Sequence, residues 1–333
     1  MINNQQRRLG YRYLIYNFNT DTFFASENGE NYQKLDIGGV GIDIDRNNTS
    51  VGQDTLTHLT TGFRNTVLGK DSLRNTTSGN SNTAVGDSCL RYNSTGSANT
   101  VIGRKALHNN TEGSNNVAVG NSALFSNTEG DNNTSIGKDS SENNTTGAKN
   151  TVLGSQALRS NTAGSDNVAI GFQALKDVTT GSGNFGAAFK NTNNSYTPVF
   201  NPTTEDNRVV MGHTSVTNAY VQVAWTVTSD ARDKMNFAPV SYGLDFINQL
   251  QPTAYQFKVD RNTEVTNGPV RYGFKAQDIL ELEGDNPVII DNEDPDNLKY
   301  KGEHLVPVLV NAVKELTVMV NDLKAEIQTL KNT

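Results

Sequence analysis

Residues 82–98 read "NTAVGDSCLRYNSTGSA", and this unit decides the fold because the chain repeats it at a fixed interval. A glycine preceded by an aliphatic residue recurs every 17 residues, at Gly52, Gly69, Gly86, Gly103, Gly120, Gly137, Gly154 and Gly171. Four residues ahead of each stands an asparagine: Asn48, Asn65, Asn82, Asn99, Asn116, Asn133, Asn150 and Asn167. Ten residues after each comes a second glycine, Gly62, Gly79, Gly96, Gly113, Gly130, Gly147, Gly164 and Gly181. Three independent marks keep one period through eight copies, which chance does not produce.

Within the unit a short β-branched run, such as Thr83–Val85, Thr100–Ile102 or Thr151–Leu153, predicts a strand. The asparagine and glycine at its ends are expected to supply the positive φ of sharp corners. A leucine four residues after the glycine (Leu56, Leu73, Leu90, Leu107, Leu124, Leu158, Leu175) reads as an inward anchor, replaced once by Ser141. Such a unit makes one coil of a parallel β-solenoid, with coils about 4.8 Å apart. The expected anchors are the residue before the first glycine, often the one before that, and the leucine. They are few for a tube that closes on its own interior, and three chains sharing one axis would pool them. The fold class expected is therefore mainly β: a trimeric parallel β-solenoid shaft (β-roll or β-helix) over residues 48–183, followed by an α+β domain ending in a coiled coil. The repeats resemble the head repeats of trimeric autotransporter adhesins, which are left-handed parallel β-rolls of somewhat shorter period, and similar repeats in phage tail fibres.

Composition narrows the function. Only 35% of the 333 residues are hydrophobic and the mean hydropathy is −0.55, yet Val, Ile and Leu recur at fixed places, unlike in a disordered chain. A net charge of −7 without a basic stripe argues against nucleic acid as a partner. The single Cys89 admits no intrachain disulfide and reads as a packed side chain, and His58, His108, His213 and His304 have no metal-ligand spacing, so neither metal nor cofactor is expected. "MINNQQRRLG" at 1–10 lacks the apolar core of a secretory signal, and no apolar run reaches the roughly 20 residues of a membrane helix. Synthesis in a cytoplasm without membrane insertion is expected, and the Asn-x-Thr/Ser triplets then read as hydrogen-bonding corners, not glycosylation sites.

Outside the repeats, residues 1–47 contain the aromatic run "YRYLIYNFNTDTFFAS" (11–26) and read as a small β-hairpin element that caps the shaft or docks on another protein. "IGGVGIDID" (37–45) reads as the lead-in to the shaft; no strand–loop–helix context makes it a nucleotide site. Residues 184–228 form a transition with strand alternation around Val209, Met211, Val221, Val223 and Trp225.

At 228–234, "TSDARDK", the composition changes class. "SYGLDFINQLQP" (241–252) predicts a short helix with Ser241 as N-cap, with Leu244, Ile247 and Leu250 on one face and Pro252 as its stop. "TAYQFKVD" (253–260) predicts a strand, and "RYGFKAQDILELEG" (271–284) a turn into a helix. Residues 305–333 carry a heptad, with Val306, Val313, Val320 and Ile327 at one core position and Leu309, Leu316, Leu323 and Leu330 at the other, which predicts a coiled coil.

"SDARDK" (229–234), "YGFKAQDI" (272–279) and "LVPVLVNAVKEL" (305–316), in that order, resemble the endosialidase-type C-terminal intramolecular chaperone domain of phage tail spikes and fibres over residues 226–333. The resemblance implies a domain that trimerises, guides the folding of an upstream β-helical fibre, and frees itself by cutting before the serine. It implies cleavage between Thr228 and Ser229 by a Ser229–Lys234 dyad, with Asp230, Arg232, Gly273, Gln277 and Asp278 as supporting motif residues. The implied partners are two further copies of the chain, a virion tail or baseplate protein through residues 1–47, and a host surface receptor, for which a glycan is a candidate. The implied location is the virion, after assembly in the host cytoplasm. A lysine serves as base when burial or a cationic neighbour such as Arg232 leaves its amine neutral. The plainer reading has Ser229 only capping a helix that opens at Asp230. Rival functions are a bacterial surface fibre or adhesin of prophage origin and a glycan-binding or glycan-degrading tail spike, the latter needing a carboxylate pair for which only Asp43 and Asp45 stand close in sequence.

Overall fold

A computed structural model describes residues 46–187, 198–213, 229–258 and 262–332, the strand backbones at 6–9, 12–17, 22–26, 33–34 and 40–43, and residues 196, 216 and 222. The chain divides into two units, Met1–Val216 and Thr217–Thr333. Val221, Val223, Trp225 and Thr228 lie outside the described residues, as does Asp45.

The first unit begins with four antiparallel strands, β1 (Gln6–Leu9), β2 (Arg12–Asn17), β3 (Thr22–Ser26) and β4 (Gln33–Lys34). An eleven-stranded sheet follows in sequence order. It comprises β5 (Val40–Asp43), β6 (Asn48–Val51), β7 (Thr66–Leu68), β8 (Thr83–Val85), β9 (Thr100–Ile102), β10 (Val117–Val119), β11 (Thr134–Ile136), β12 (Thr151–Leu153), β13 (Val168–Ile170), β14 (Phe185–Ala187) and β15 (Val209–Met211). β5 pairs antiparallel with β6, and every later pair is parallel and in register, Thr83 with Thr100 and Thr100 with Val117. The solenoid outlasts the strict period: β14 keeps the same step from β13 (Val168 with Phe185), and β15 rejoins the sheet after a longer excursion, with Val209 beside Phe185. Tyr196 and Phe200, from that excursion, pack against the last core cluster.

The inward side chains differ from the expectation. A three-residue strand alternates once, so its middle residue faces one way and its outer two the other. Val67, Ala84, Val101, Ala118, Val152 and Ala169 are the buried middles, whereas the aliphatic residues before the glycines point out, with Leu68 and Leu153 each 51% exposed. The second inward residue is the small one before the leucine (Ser72, Cys89, Ala106, Ala123, Ser140, Ala157, Ala174), and the leucine is buried beside it. Asparagines complete each layer: Asn99 N and Nδ2 donate to Asn82 Oδ1 (3.0 and 3.1 Å), and its Nδ2 also donates to Gly113 O (2.9 Å). A second ladder runs through Asn93, Asn110, Asn127, Asn144 and Asn161, with Asn110 Nδ2 donating to Asn93 Oδ1 at 2.8 Å. Each coil thus fills its own interior with these side chains.

Nor do the ladder asparagines supply the positive φ. Gly86 does (φ 140), along with non-glycine residues such as Ser88 (φ 56), Leu90 (φ 49) and Ala98 (φ 56). A Cβ on Gly86 would stand 2.6 Å from the Gly103 carbonyl oxygen of the next coil, so the close stacking also demands glycine there.

The second unit holds α1 (Leu244–Gln249), the ribbon β16–β17 (Thr253–Lys258 and Thr266–Gly273), α2 (Ala276–Glu283), the short pair β18–β19 (Ile290–Asp291 and Lys299–Tyr300) and α3 (Leu305–Asn332). Phe246, Leu250, Ile279, Ile289, Ile290, Leu305 and Val308 form its core. Ser241 does not cap α1. Gly243 is the N-cap residue, and the Glu315 carboxylate of α3 accepts from Leu244 N at 2.6 Å.

Candidate functional site

Asp230 organises the segment that begins at Ser229. Its extended backbone (φ −69, ψ 131) makes it the N-cap of a 3₁₀ turn over Ala231–Asp233. Its Oδ1 accepts from Arg232 N at 2.9 Å, and its Oδ2 accepts from Arg232 Nη2 at 2.6 Å. A cap of this kind satisfies an amide that the turn leaves without a partner. The turn closes with Asp233 N and Lys234 N donating to Asp230 O and Ala231 O, each at 3.2 Å. Lys234 then leaves in extended conformation (φ −126, ψ 151). This single reversal brings Lys234 Nζ within 2.7 Å of Ser229 Oγ, the amine donating to the hydroxyl.

The electrostatics of the turn are local. The Arg232 side chain, and then its amide, hold the Asp230 carboxyl below the usual carboxylate range, and Asp230 in turn raises Arg232. The plainer reading of Ser229 as a cap does not hold, because Asp230 takes that place, and the Arg232 guanidinium is paired with Asp230. Ser229 and Lys234 are both exposed within the single chain. A hydroxyl and an amine in contact can pass a proton, provided the amine is neutral, and removal of water from the amine favours that form.

The other motif residues belong to other elements. Gly273 ends β17 opposite Thr253, where a Cβ would approach the Tyr255 ring to 3.0 Å. Gln277 and Asp278 lie in the first turn of α2. Among the described residues none of the three is hydrogen bonded to Ser229–Lys234. Two acidic residues that the sequence did not single out do structural work elsewhere in this unit. Buried Glu283 accepts from Val288 N, Ile289 N and Ile290 N at 2.8, 2.7 and 2.9 Å, pinning the loop after α2. Glu315 and Asn311 fasten α3 to the start of α1, with Asn311 Nδ2 donating to Tyr242 O at 2.9 Å. Their partners are backbone amides and carbonyls, which leave no trace in a motif. Asp43 is described only as backbone of β5, and Asp45 lies outside the described residues. Cys89 is buried, and burial pushes its thiol up to about 11, as suits a packed side chain.

Residues 229–286 match the family model of peptidase S74, the chaperone of endosialidase. No curated protein and no solved structure matches the chain. The turn that seats Lys234 on Ser229 thus opens the segment that matches the chaperone-of-endosialidase model, a family that implies autoproteolytic peptidase activity, and this segment follows a β-solenoid in the chain.

Proposed function

We propose that the chain is the subunit of a homotrimeric fibre, of a phage tail or a similar appendage, whose C-terminal unit aligns three copies and then cuts itself off between Thr228 and Ser229. The observation that carries this reading is the 2.7 Å contact of Lys234 Nζ with Ser229 Oγ at the first residue of the matched segment. In the cleavage step Lys234 takes the Ser229 hydroxyl proton while Oγ attacks the Thr228 carbonyl carbon. The Thr228–Ser229 C–N bond breaks, the amide nitrogen receives the proton, and an ester joins Thr228 to Ser229 Oγ. Water then opens the ester, leaving a Thr228 carboxylate and a new Ser229 amino terminus.

Assembly before cutting is supported by surfaces the single chain leaves bare. α3 packs Leu305, Val308 and Ala312 against its own chain, while the heptad stripe from Val306 and Val313 to Leu323 and Leu330 stays exposed. β16–β17 is bare as well, with Phe257 and Tyr272 exposed. In the solenoid, Leu68, Ile102, Ile136, Leu153 and Ile170 form an outward rank without charge, suited to lateral packing of copies. A β-branched residue alternating with leucine favours two strands in an isolated zipper, so the count of three rests on the family resemblance. Neighbouring copies would also strip water from Lys234, which couples cutting to completed assembly.

Intact mass after expression tests the reading. The wild-type chain is expected to separate between Thr228 and Ser229, while Ser229→Ala and Lys234→Ala remain whole yet still assemble. A folded wild-type chain that stays uncut would overturn it.

A further inference from the structure

One layer of the solenoid core differs chemically from the rest. At the three inward places, which hold valine or alanine, a small residue and leucine in the coils that begin at Asn65, Asn82, Asn99, Asn116, Asn150 and Asn167, coil 133–149 carries Ser135, Ser140 and Ser141 together. The backbone does not adapt to the change: Ser141 keeps the left-handed conformation of the leucines (φ 48, against 52 for Leu124 and 49 for Leu158). A hydroxymethyl group therefore sits where seven other coils hold an isobutyl group, between Leu124 and Leu158, both fully buried. The hydrophobic core is interrupted at this layer, one cluster ending at Leu124 and the next beginning at Val152.

The hydroxyls in this layer are unequally satisfied. Ser135 Oγ donates to Ser140 Oγ, which donates to Gly137 O, both at 2.8 Å. Ser141 Oγ, in a residue only 2% exposed, has no hydrogen-bond partner among the described residues. A buried hydroxyl left unpaired is costly. A pocket lined by hydroxyls holds water, whereas an apolar one stays dry. The buried side chains of the coil are Asn133, Ser135, Ser140, Ser141 and Asn144, none of them charged, so the occupant is neutral and small.

We propose that coil 133–149 encloses an ordered water that takes the Ser141 hydroxyl as a partner and uses the free lone pairs of Ser135 and Ser140. The water stands in for the missing leucine and makes this layer a wet joint between two apolar stacks. Because solenoid stability is a sum over coils and their interfaces, the joint is where the stack separates first. This inference does not depend on the proposed self-cleavage.

High-resolution crystal structures of the chain and of two variants, with their melting curves, test it. The wild type is expected to hold one enclosed water within hydrogen-bonding distance of Ser141 Oγ. Ser141→Leu fills the space, expels the water and raises Tm by several degrees. Ser141→Ala, which keeps the space but removes the hydroxyl, should lose most of the water occupancy. A dry wild-type coil, a lower Tm for a folded Ser141→Leu, or full occupancy in Ser141→Ala would each overturn the proposal.

Discussion

Leu90 is fully buried and sits at φ 49, a conformation that β-carbon-bearing residues avoid, and its counterparts in the other coils do the same. Burial and hydrogen bonds to the next coil hold it there, since Leu90 N donates to Ala106 O at 3.1 Å. The glycines are less forgiving: Gly86→Ala adds a Cβ against the Gly103 carbonyl at a positive φ and should cost at least about 1–3 kcal/mol from backbone strain alone, read as a lowered unfolding midpoint. His108 offers a pH test. Burial is the main reason its imidazole lies below the ordinary 6.5, helped by Lys105 and Arg91, and the ring stacks on Phe125 at 5.1 Å. The folded coil keeps it neutral while the unfolded chain takes up a proton as pH falls, so its contribution is complete above 6.5 and is lost below. Melts on either side of that pH should therefore diverge more for the wild type than for His108→Gln. At the cleavage turn, Asp230→Ala removes the cap and the guanidinium partner together, and self-cleavage should slow several-fold; Asp230→Asn keeps an acceptor for Arg232 N and should fall between, in a time course of cut chain.

Among the elements, α3 was legible in the sequence and β8 only by half. A heptad is local and long, so the pattern of Val313, Leu316, Val320 and Leu323 declares a helix with one apolar stripe whatever it packs against. The strands were equally visible, but three residues give a single alternation, and hydropathy favours Val85 over Ala84 as the inward residue when the fold chooses the reverse. Position in the coil decides, because the interior beside Leu90 and Asn93 has room for a small side chain. The left-handed leucines were hidden for the opposite reason, since no composition announces a strained backbone. At the candidate site, the motif drew attention to Ser229 and Lys234, which the fold brings into contact, whereas the clamp of Asp230 on Arg232 and the anchoring of α1 by Glu315 depend on contacts that no motif announces. The exposed stripe on α3 yields a sharp expectation under the proposed assembly: Leu316→Glu would place a charge in a seam where each leucine buried between copies would contribute about 2 kcal/mol. It should turn the assembly into monomers in sedimentation experiments and leave the chain uncut.

At the level of the molecule, near-identical coils in the proposed homotrimer would make neighbouring alignments of three chains almost equal in energy, one repeat apart. Under the proposed function, a C-terminal assembly that formed first would remove that ambiguity, and its later removal would leave a fibre protected by a slow unfolding step. A chain ending at Thr228 is therefore expected to give a mixture of misaligned and aggregated species in electron micrographs and light scattering, where the full chain gives one.

The in-register pairing from β6 to β14 also makes the solenoid a ruler. Each coil presents to the next the same amide ladder, the same glycine contacts and the same small-residue socket that it receives, so an extra copy of residues 99–115 spliced after residue 115 would meet a neighbour it already fits. Duplication of one unit in the gene should lengthen the stack by one interstrand spacing, about 4.8 Å, without any compensating substitution. Lineages carrying such genes could thus change reach in fixed increments.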